Sequence, residues 1–61
     1  MVDVYWYIAG EDYNGNYYDF TSYVTNVEAV VAECQELLES LDGGLFMIYD
    51  KEGHFVTRVE Y

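Results

Sequence analysis

One stretch of this chain repeats its apolar residues with the period of an α-helix, and it sits between two pairs of strand-like segments. At 100° per residue, the apolar side chains between positions 27 and 41 form a stripe about 120° wide. They are Val27, Val30, Val31, Cys34, Leu37, Leu38 and Leu41. Thr25 and Glu28 have the spacing of a capping box, which predicts Thr25 as the N-cap, and Gly43 and Gly44 predict the helix end. A helix with one apolar face must bury it against another layer of the chain.

The flanking segments predict that this layer is a β-sheet. Val2 to Ala9 alternates two sets of side chains with a period of two, and Tyr17 to Val24 is rich in aromatic and β-branched residues. Leu45 to Asp50 and His54 to Tyr61 give two more strands. The order ββαββ predicts an α+β fold, a single domain over residues 1–61 with one amphipathic helix packed on a four-stranded sheet. This layout resembles the β-grasp arrangement of small immunoglobulin-binding bacterial domains.

The first hairpin is predicted to turn through the three-residue loop Tyr13-Asn14-Gly15. A two-residue turn at Asn14-Gly15 is the alternative, but its register would place Asp19 on the apolar face of the first strand. Because a one-residue slip exchanges the two faces of a strand, we favour the longer loop. It pairs Ile8 with Phe20 and Val4 with Val24.

The second hairpin is also predicted to have a three-residue loop, Lys51-Glu52-Gly53. This loop places one set of side chains on the face toward the helix: Leu45, Met47, Tyr49, Phe55, Val59 and Tyr61. The opposite face receives Phe46, Ile48, Asp50, His54, Val56, Arg58 and Glu60.

Charge is the second constraint, because twelve acidic residues face two basic ones, for a net charge of −10. Charged residues make up 23% of the chain, close to the ~25% of ordinary domains, so the unusual feature is the missing cations. Such a chain repels itself, opposes direct binding to nucleic acid, and would be repelled by anionic lipid. It predicts a partner with a basic surface, such as a nucleic-acid-binding protein. Its 52% apolar content argues against disorder.

The acidic side chains are the first candidate binding surface. Eight are predicted to contact a basic partner: Glu28, Glu33, Glu36, Glu39, Asp42, Glu11, Asp12 and Asp19. No Lys or Arg interleaves with the helical acids. Glu39 and Asp42 lie where the helix dipole disfavours anions by ~0.3–1 kcal/mol each. Carboxylates three or four residues apart are ~5–6 Å from one another, comparable to successive phosphates of a nucleic-acid strand. The alternative is a solvated helix face in a generally acidic chain.

The outer face of the sheet is the second candidate surface. Its predicted residues are Tyr5, Tyr7, Tyr17, Tyr23, Phe46, Ile48 and Val56. Large exposed apolar patches mark interaction sites, and tyrosine is enriched at interfaces. A homodimer through this face, a different protein partner, and ordinary scattered exposure all remain open.

Catalysis is not expected from this composition. His54 is the only histidine and lies beside a turn, and Cys34 lies on the apolar stripe, where a buried and inert thiol is the ordinary expectation. Too few cysteines and histidines are present for a zinc site, and the single cysteine allows no internal disulfide. A calcium loop starting at Asp12 fails because Tyr17 and Tyr23 occupy the glycine and glutamate positions. We expect no cofactor and no metal. The absence of a signal peptide or apolar span predicts a cytoplasmic protein.

A small, strongly acidic, single-domain chain with this row of helical glutamates resembles the phage-encoded inhibitors that mimic DNA, among them anti-CRISPR proteins. The resemblance is to a physical class. It implies a non-enzymatic inhibitor that occupies a basic groove of a nuclease or of a CRISPR-type effector in the host cytoplasm. The alternative is a general protein-interaction module that binds through the tyrosine-rich sheet face.

Overall fold

The computed structural model describes residues 4–61 and confirms the α+β fold with the order ββαββ. The strands are β1 (Trp6–Asp12), β2 (Tyr17–Ser22), β3 (Gly44–Tyr49) and β4 (Phe55–Glu60), and the helix is α1 (Val27–Ser40). Strand β1 continues three residues beyond the predicted end at Ala9, and β2 stops two residues before Val24. The predicted start at Val2 lies outside the described residues.

The strands form one antiparallel sheet in the order β2-β1-β3-β4. Because β2 and β3 both pair antiparallel with β1, they run parallel to each other on either side of it. Parallel strands need a crossover connection, usually a helix, and α1 supplies it. The β-grasp resemblance therefore ends at the element order, since a β-grasp sheet has a parallel pair of strands at its centre.

The first hairpin has the predicted loop and register. Ile8 pairs with Phe20, and the Asp12 N–H donates to the Asn16 carbonyl at 3.1 Å, which closes a loop of three residues. Gly15 has a φ of +86°, a left-handed backbone that glycine adopts without steric cost. Val4 and Val24 lie beyond the paired residues of the two strands.

The second hairpin also turns through three residues, but the predicted faces of β3 are wrong. Phe46 and Ile48 are fully buried, whereas Leu45, Met47 and Tyr49 lie half-buried on the other face. The pairing of β3 with β1 sets these faces, because Ile48 is the cross-strand partner of the buried Ile8. A register shift between Ile48 and Tyr49 then changes which residues of β4 share each face.

This bulge leaves Val56 as the extra residue of β4, because Tyr49 pairs with Phe55 while Ile48 pairs with Thr57. A bulge reverses the alternation of one strand relative to its partner. Val59 therefore stands beside Phe46 in the core, although the loop alone predicts that they lie on opposite faces.

Phe46 is the centre of the core. Its ring packs edge-on against Tyr18 and Phe20, with centroid distances of 6.2 and 6.0 Å. The ring also lies against Gly10 of β1, where an added Cβ would stand 2.0 Å from the Leu45 carbonyl oxygen and 2.5 Å from Phe46 Cδ1. Gly10 is therefore required by the close approach of β3, backbone and Phe46 ring together, and not by a turn.

The helix buries the predicted stripe, with Val30, Cys34 and Leu38 fully enclosed. Its N-cap, however, is Asn26 and not Thr25, because the Asn26 Oδ1 accepts from the Ala29 N–H at 2.9 Å. Asparagine is at least as good an N-cap as threonine. With the cap shifted by one residue, Glu28 no longer has the position that a capping box requires.

The helix ends in a Schellman motif. The Gly43 N–H donates to the Leu38 carbonyl at 2.9 Å and the Asp42 N–H to the Glu39 carbonyl at 3.2 Å. Asp42 occupies the left-handed position of this motif, with a φ of 66°, where glycine is the usual residue. Gly43 follows under the ring of Tyr13.

Candidate protein-binding surfaces

Three of the predicted helical acids form one row along α1, which we call the acidic helix face: Glu33, Glu36 and Glu39. All three are exposed, and each is three residues from the next, so neighbouring side chains lie on adjacent turns with Cβ atoms about 5–6 Å apart. Glu28 is exposed as well, but it lies in the first turn, where a carboxylate is favoured by the helix dipole. The structure therefore brings three of the four helical glutamates together.

A groove between α1 and β2 lies beside the acidic helix face. The helix packs mainly against β3 and β4, which leaves the inner side of β2 partly uncovered. Five residues line the groove: Phe20, Glu33, Glu36, Leu37 and Ser40. Phe20 and Leu37 are half-buried and supply an apolar surface, while the two glutamates are exposed beside them. We call this the acidic groove.

The position of Glu33 in this groove is fixed by a side chain of β2. The buried Ser22 hydroxyl donates to the Glu33 carboxylate. This hydrogen bond connects the helix to the edge strand and holds one carboxylate next to Phe20. Sequence reasoning did not find this contact, because it depends on where the helix crosses the sheet.

Cations are segregated from this surface. The chain has only two basic residues, and both belong to the second hairpin: Lys51 in its loop and Arg58 in β4. Arg58 lies 4.0 Å from Glu60 on an exposed surface, where an ion pair contributes little. Neither α1 nor β2 contains a positive charge, so the acidic groove carries uncompensated negative charge.

Asp12 has a different role from the other predicted acids, because it is buried inside the first hairpin with an exposed fraction of 6%. Its carboxylate accepts hydrogen bonds from the Asn14 and Asn16 backbone N–H groups, the Asn16 side chain and the Tyr18 hydroxyl, at 2.9–3.0 Å. These donors, the Asn16 side chain above all, lower the pKa of Asp12 to about 2. The Asp-x-Asn pattern is a turn signal that could have identified this role.

Glu11 and Asp19 are exposed, but they lie on the face of the sheet opposite the helix. We call this the outer sheet face. Cross-strand partners share a face, so the pairings place the following residues on it: Tyr7, Ala9, Glu11, Tyr17, Asp19, Thr21, Leu45, Met47, Tyr49, Phe55, Arg58 and Glu60. Two of the predicted acids are thus separated from the acidic helix face by the thickness of the sheet.

The predicted tyrosines also divide into two groups. Tyr5 contacts Tyr7 and Tyr23, with ring centroids 5.5 and 5.9 Å away. Tyr7 and Tyr23 are 43% and 65% exposed. Tyr17 stands apart from this cluster, opposite Glu11 in the register of the first hairpin. The predicted members Phe46 and Ile48 belong to the core instead, and Leu45, Met47, Tyr49 and Phe55 take their place on the outer sheet face.

The residues considered for chemistry lie apart from one another. Exposed His54 places its Nδ1 3.7 Å from Asp50, whose pKa is lowered mainly by the His54 backbone N–H. Cys34 is fully buried, and burial raises the pKa of its thiol to about 11. Among residues 4–61 no group of three or more His, Cys, Asp or Glu side chains could hold a metal ion. The one described helix lacks the length and apolar character needed to cross a membrane.

No protein-family model, curated protein or solved structure matches this chain.

Proposed function

We propose that this protein is a non-enzymatic acidic inhibitor that mimics nucleic acid and occupies a basic groove of a nuclease or of a CRISPR-type effector, as in phage counter-defence. The observation that carries the proposal is the acidic helix face, three exposed carboxylates on successive turns of a helix without a cation. A soluble helix gains ~0.2–0.5 kcal/mol from each pair of opposite charges at this spacing and loses similar amounts from like pairs. Helix stability alone does not favour this row.

The rigid support of the row fits the proposed role. The buried residues Val30, Cys34 and Leu38 hold α1 against the sheet, so the Cβ atoms that carry the row of carboxylates keep a spacing of about 5–6 Å. Lys and Arg side chains that normally contact successive phosphates would meet carboxylates at a comparable spacing. Such a surface accelerates association with a basic partner, and the attraction weakens as salt increases.

The acidic groove supplies the contacts that long-range charge does not. An arginine of the partner could lay its apolar stem on Leu37 and its guanidinium beside the Phe20 ring, within reach of the Glu33 carboxylate. Arginine buries its methylene groups in this way while keeping its charge paired, and it also stacks on aromatic rings. The groove therefore favours arginine-lined over lysine-lined partner surfaces.

Charge reversal at one helical position tests the proposal. Glu36→Lys removes the centre of the row, and none of the described hydrogen bonds involves the Glu36 side chain. The matched control is Glu52→Lys in the second loop, which changes the net charge by the same amount on a distant exposed surface. Circular dichroism should show both variants folded, because Glu36→Lys replaces repulsion with attraction along the helix.

Both variants and the wild type are immobilised and incubated with bacterial lysate, and bound proteins are then eluted with a DNA or RNA oligonucleotide. We expect nucleic-acid-binding enzymes to be released from the wild type and from Glu52→Lys, and to be absent from Glu36→Lys. A purified member of that set should lose activity when wild-type protein is added. The proposal would be refuted if the bound proteins are not eluted by nucleic acid and bind the Glu36→Lys variant as well as they bind the wild type.

A second candidate function is a general protein-interaction module that binds through the tyrosine cluster. The contacts of Tyr5 with Tyr7 and Tyr23 favour it, because clustered, partly exposed tyrosines bring contact area at a low entropic cost. In this case Tyr23→Ala abolishes capture of the bound protein, Tyr17→Ala at the far end of the same face does not, and Glu36→Lys is tolerated. Equal capture by all three variants would exclude it.

A further inference from the structure

The outer sheet face has no covering layer among residues 4–61, because α1, the one described helix, lies on the other side of the sheet. Its middle row crosses all four strands in the order Asp19, Ala9, Met47, Arg58. The row begins with an acid on one edge strand and ends with the only arginine of the chain on the other. Its centre, Ala9 and Met47, is apolar.

We propose that this face docks against the outer sheet face of a second copy of the chain. The two-fold axis would run parallel to the strands, between β1 and β3. Rotation about this axis places β2 of one copy over β4 of the other and keeps each residue at its own height along the strands. Asp19 then meets the other copy's Arg58, and Ala9 meets the other copy's Met47. The interface is isologous, so each of these contacts occurs twice.

The neighbouring rows are compatible with the same axis. In the row toward the tyrosine cluster, Tyr7 meets the other copy's Tyr49. In the row toward the first loop, Glu11 meets Leu45 and Tyr17 meets Glu60. No acid faces another acid in any of the three rows.

The alternative two-fold axis is unfavourable. An axis in the plane of the sheet but perpendicular to the strands would leave each strand over its own copy. Asp19 would then face Asp19, and Arg58 would face Arg58. Like charges placed directly opposite each other are destabilising, so the charges of the middle row select the first axis.

The size of the face indicates a weak dimer. Four strands about 4.8 Å apart and six residues long at about 3.3 Å each give a face of roughly 19 Å by 20 Å. This is smaller than the ~800 Å² that each partner buries in a standard interface. Two chains of charge −10 also repel each other. The dimer should therefore populate only at high protein concentration.

Two single charge substitutions and their mixture test the arrangement. Arg58→Asp gives a face with acids at both ends of the middle row, and Asp19→Arg gives a face with bases at both ends. Each variant alone should be monomeric because its copies repel. An equimolar mixture should form a dimer in which an acidic side chain faces a basic one at both ends of the middle row. Both positions are exposed, and circular dichroism verifies that each variant folds.

The measurement is sedimentation equilibrium at ~0.15 M salt, where repulsion is screened beyond ~8 Å, over protein concentrations up to roughly 1 mM, the range of weak association. We expect dimers for the wild type and for the mixture only. A wild type that stays monomeric throughout, variants that dimerise alone, or a mixture that stays monomeric would each overturn the proposal. The experiment contains no partner and leaves the acidic helix face unchanged, so its failure would not bear on the proposed inhibitor function.

Discussion

Replacing Asp42 with glycine is expected to stabilise the protein by about 1 kcal/mol. Asp42 has a φ of 66°, and a left-handed backbone costs an L-residue ~1–2 kcal/mol, with aspartate toward the low end. Glycine removes that cost, but its backbone loses more conformational entropy on folding, which lowers the stability by ~0.5–1 kcal/mol. The carboxylate also lies at the negative end of the helix dipole, and its removal returns ~0.3–1 kcal/mol. The backbone and charge contributions together give the net gain.

The assay is thermal unfolding followed by circular dichroism. For a domain of this size, 1 kcal/mol raises Tm by about 4–8 °C. Asp42→Asn is the matched variant, because asparagine tolerates the left-handed backbone and lacks only the charge. The increase in Tm for Asp42→Asn should be smaller than the increase for Asp42→Gly. It should also shrink as salt is added, since salt screens the dipole interaction. A Tm for Asp42→Gly that equals or falls below the wild-type value would refute the reasoning.

Three further predictions concern the interior. Gly10→Ala should lower stability by about 1–3 kcal/mol or more through overpacking against the Leu45 carbonyl and Phe46, and a Tm unchanged from the wild type would contradict this. The pKa of Asp12 is lowered to about 2, so its stabilising contribution is complete above its ordinary pKa near 4 and is lost as pH falls toward 2. The difference in Tm between the wild type and Asp12→Asn should accordingly narrow from pH 4 to pH 2. A difference that stays constant over this range would contradict the lowered pKa of Asp12. Cys34, with its pKa raised to about 11, should not react with a thiol reagent at pH 8 until denaturant is added; prompt labelling of the native protein would show that the site is accessible.

The parts of the fold that were predictable have a strong contrast between polar and apolar positions. The stripe from Val27 to Leu41 has such a contrast, and burial of Val30, Cys34 and Leu38 confirms it. The first hairpin has it too, because only one register keeps Asp19 away from the apolar face, and the pairing of Ile8 with Phe20 follows.

Strand β3 was unpredictable for the opposite reason. Residues Leu45 to Ile48 are apolar on both faces, so a period of two does not show which set points inward. The bulge in β4 then decides which residues of β4 share each face, and no sequence signal marks it. The match between Gly10 and Phe46 would have decided them correctly, but it requires knowing that β1 and β3 are neighbours.

The candidate site was partly predictable for a related reason. The row Glu33, Glu36 and Glu39 follows from helix geometry alone. The groove beside it depends on the position of α1 over β3 and β4, and Ser22 becomes its neighbour only through that position. Net charge does not distinguish a solvated carboxylate from one that organises a loop, so the sequence predicts Asp12 among the surface acids.

The crossover from β2 through α1 to β3 has a consequence during folding. Each hairpin can form locally, but β1 gains its second neighbour only when β3 has crossed back over the sheet to reach it. Until then β1 is an unprotected edge that exposes Ile8, and such edges promote pairing between different chains. A large negative charge on every nascent chain keeps these incomplete sheets apart. The scarcity of cations therefore protects the protein before it reaches the state in which it meets any partner.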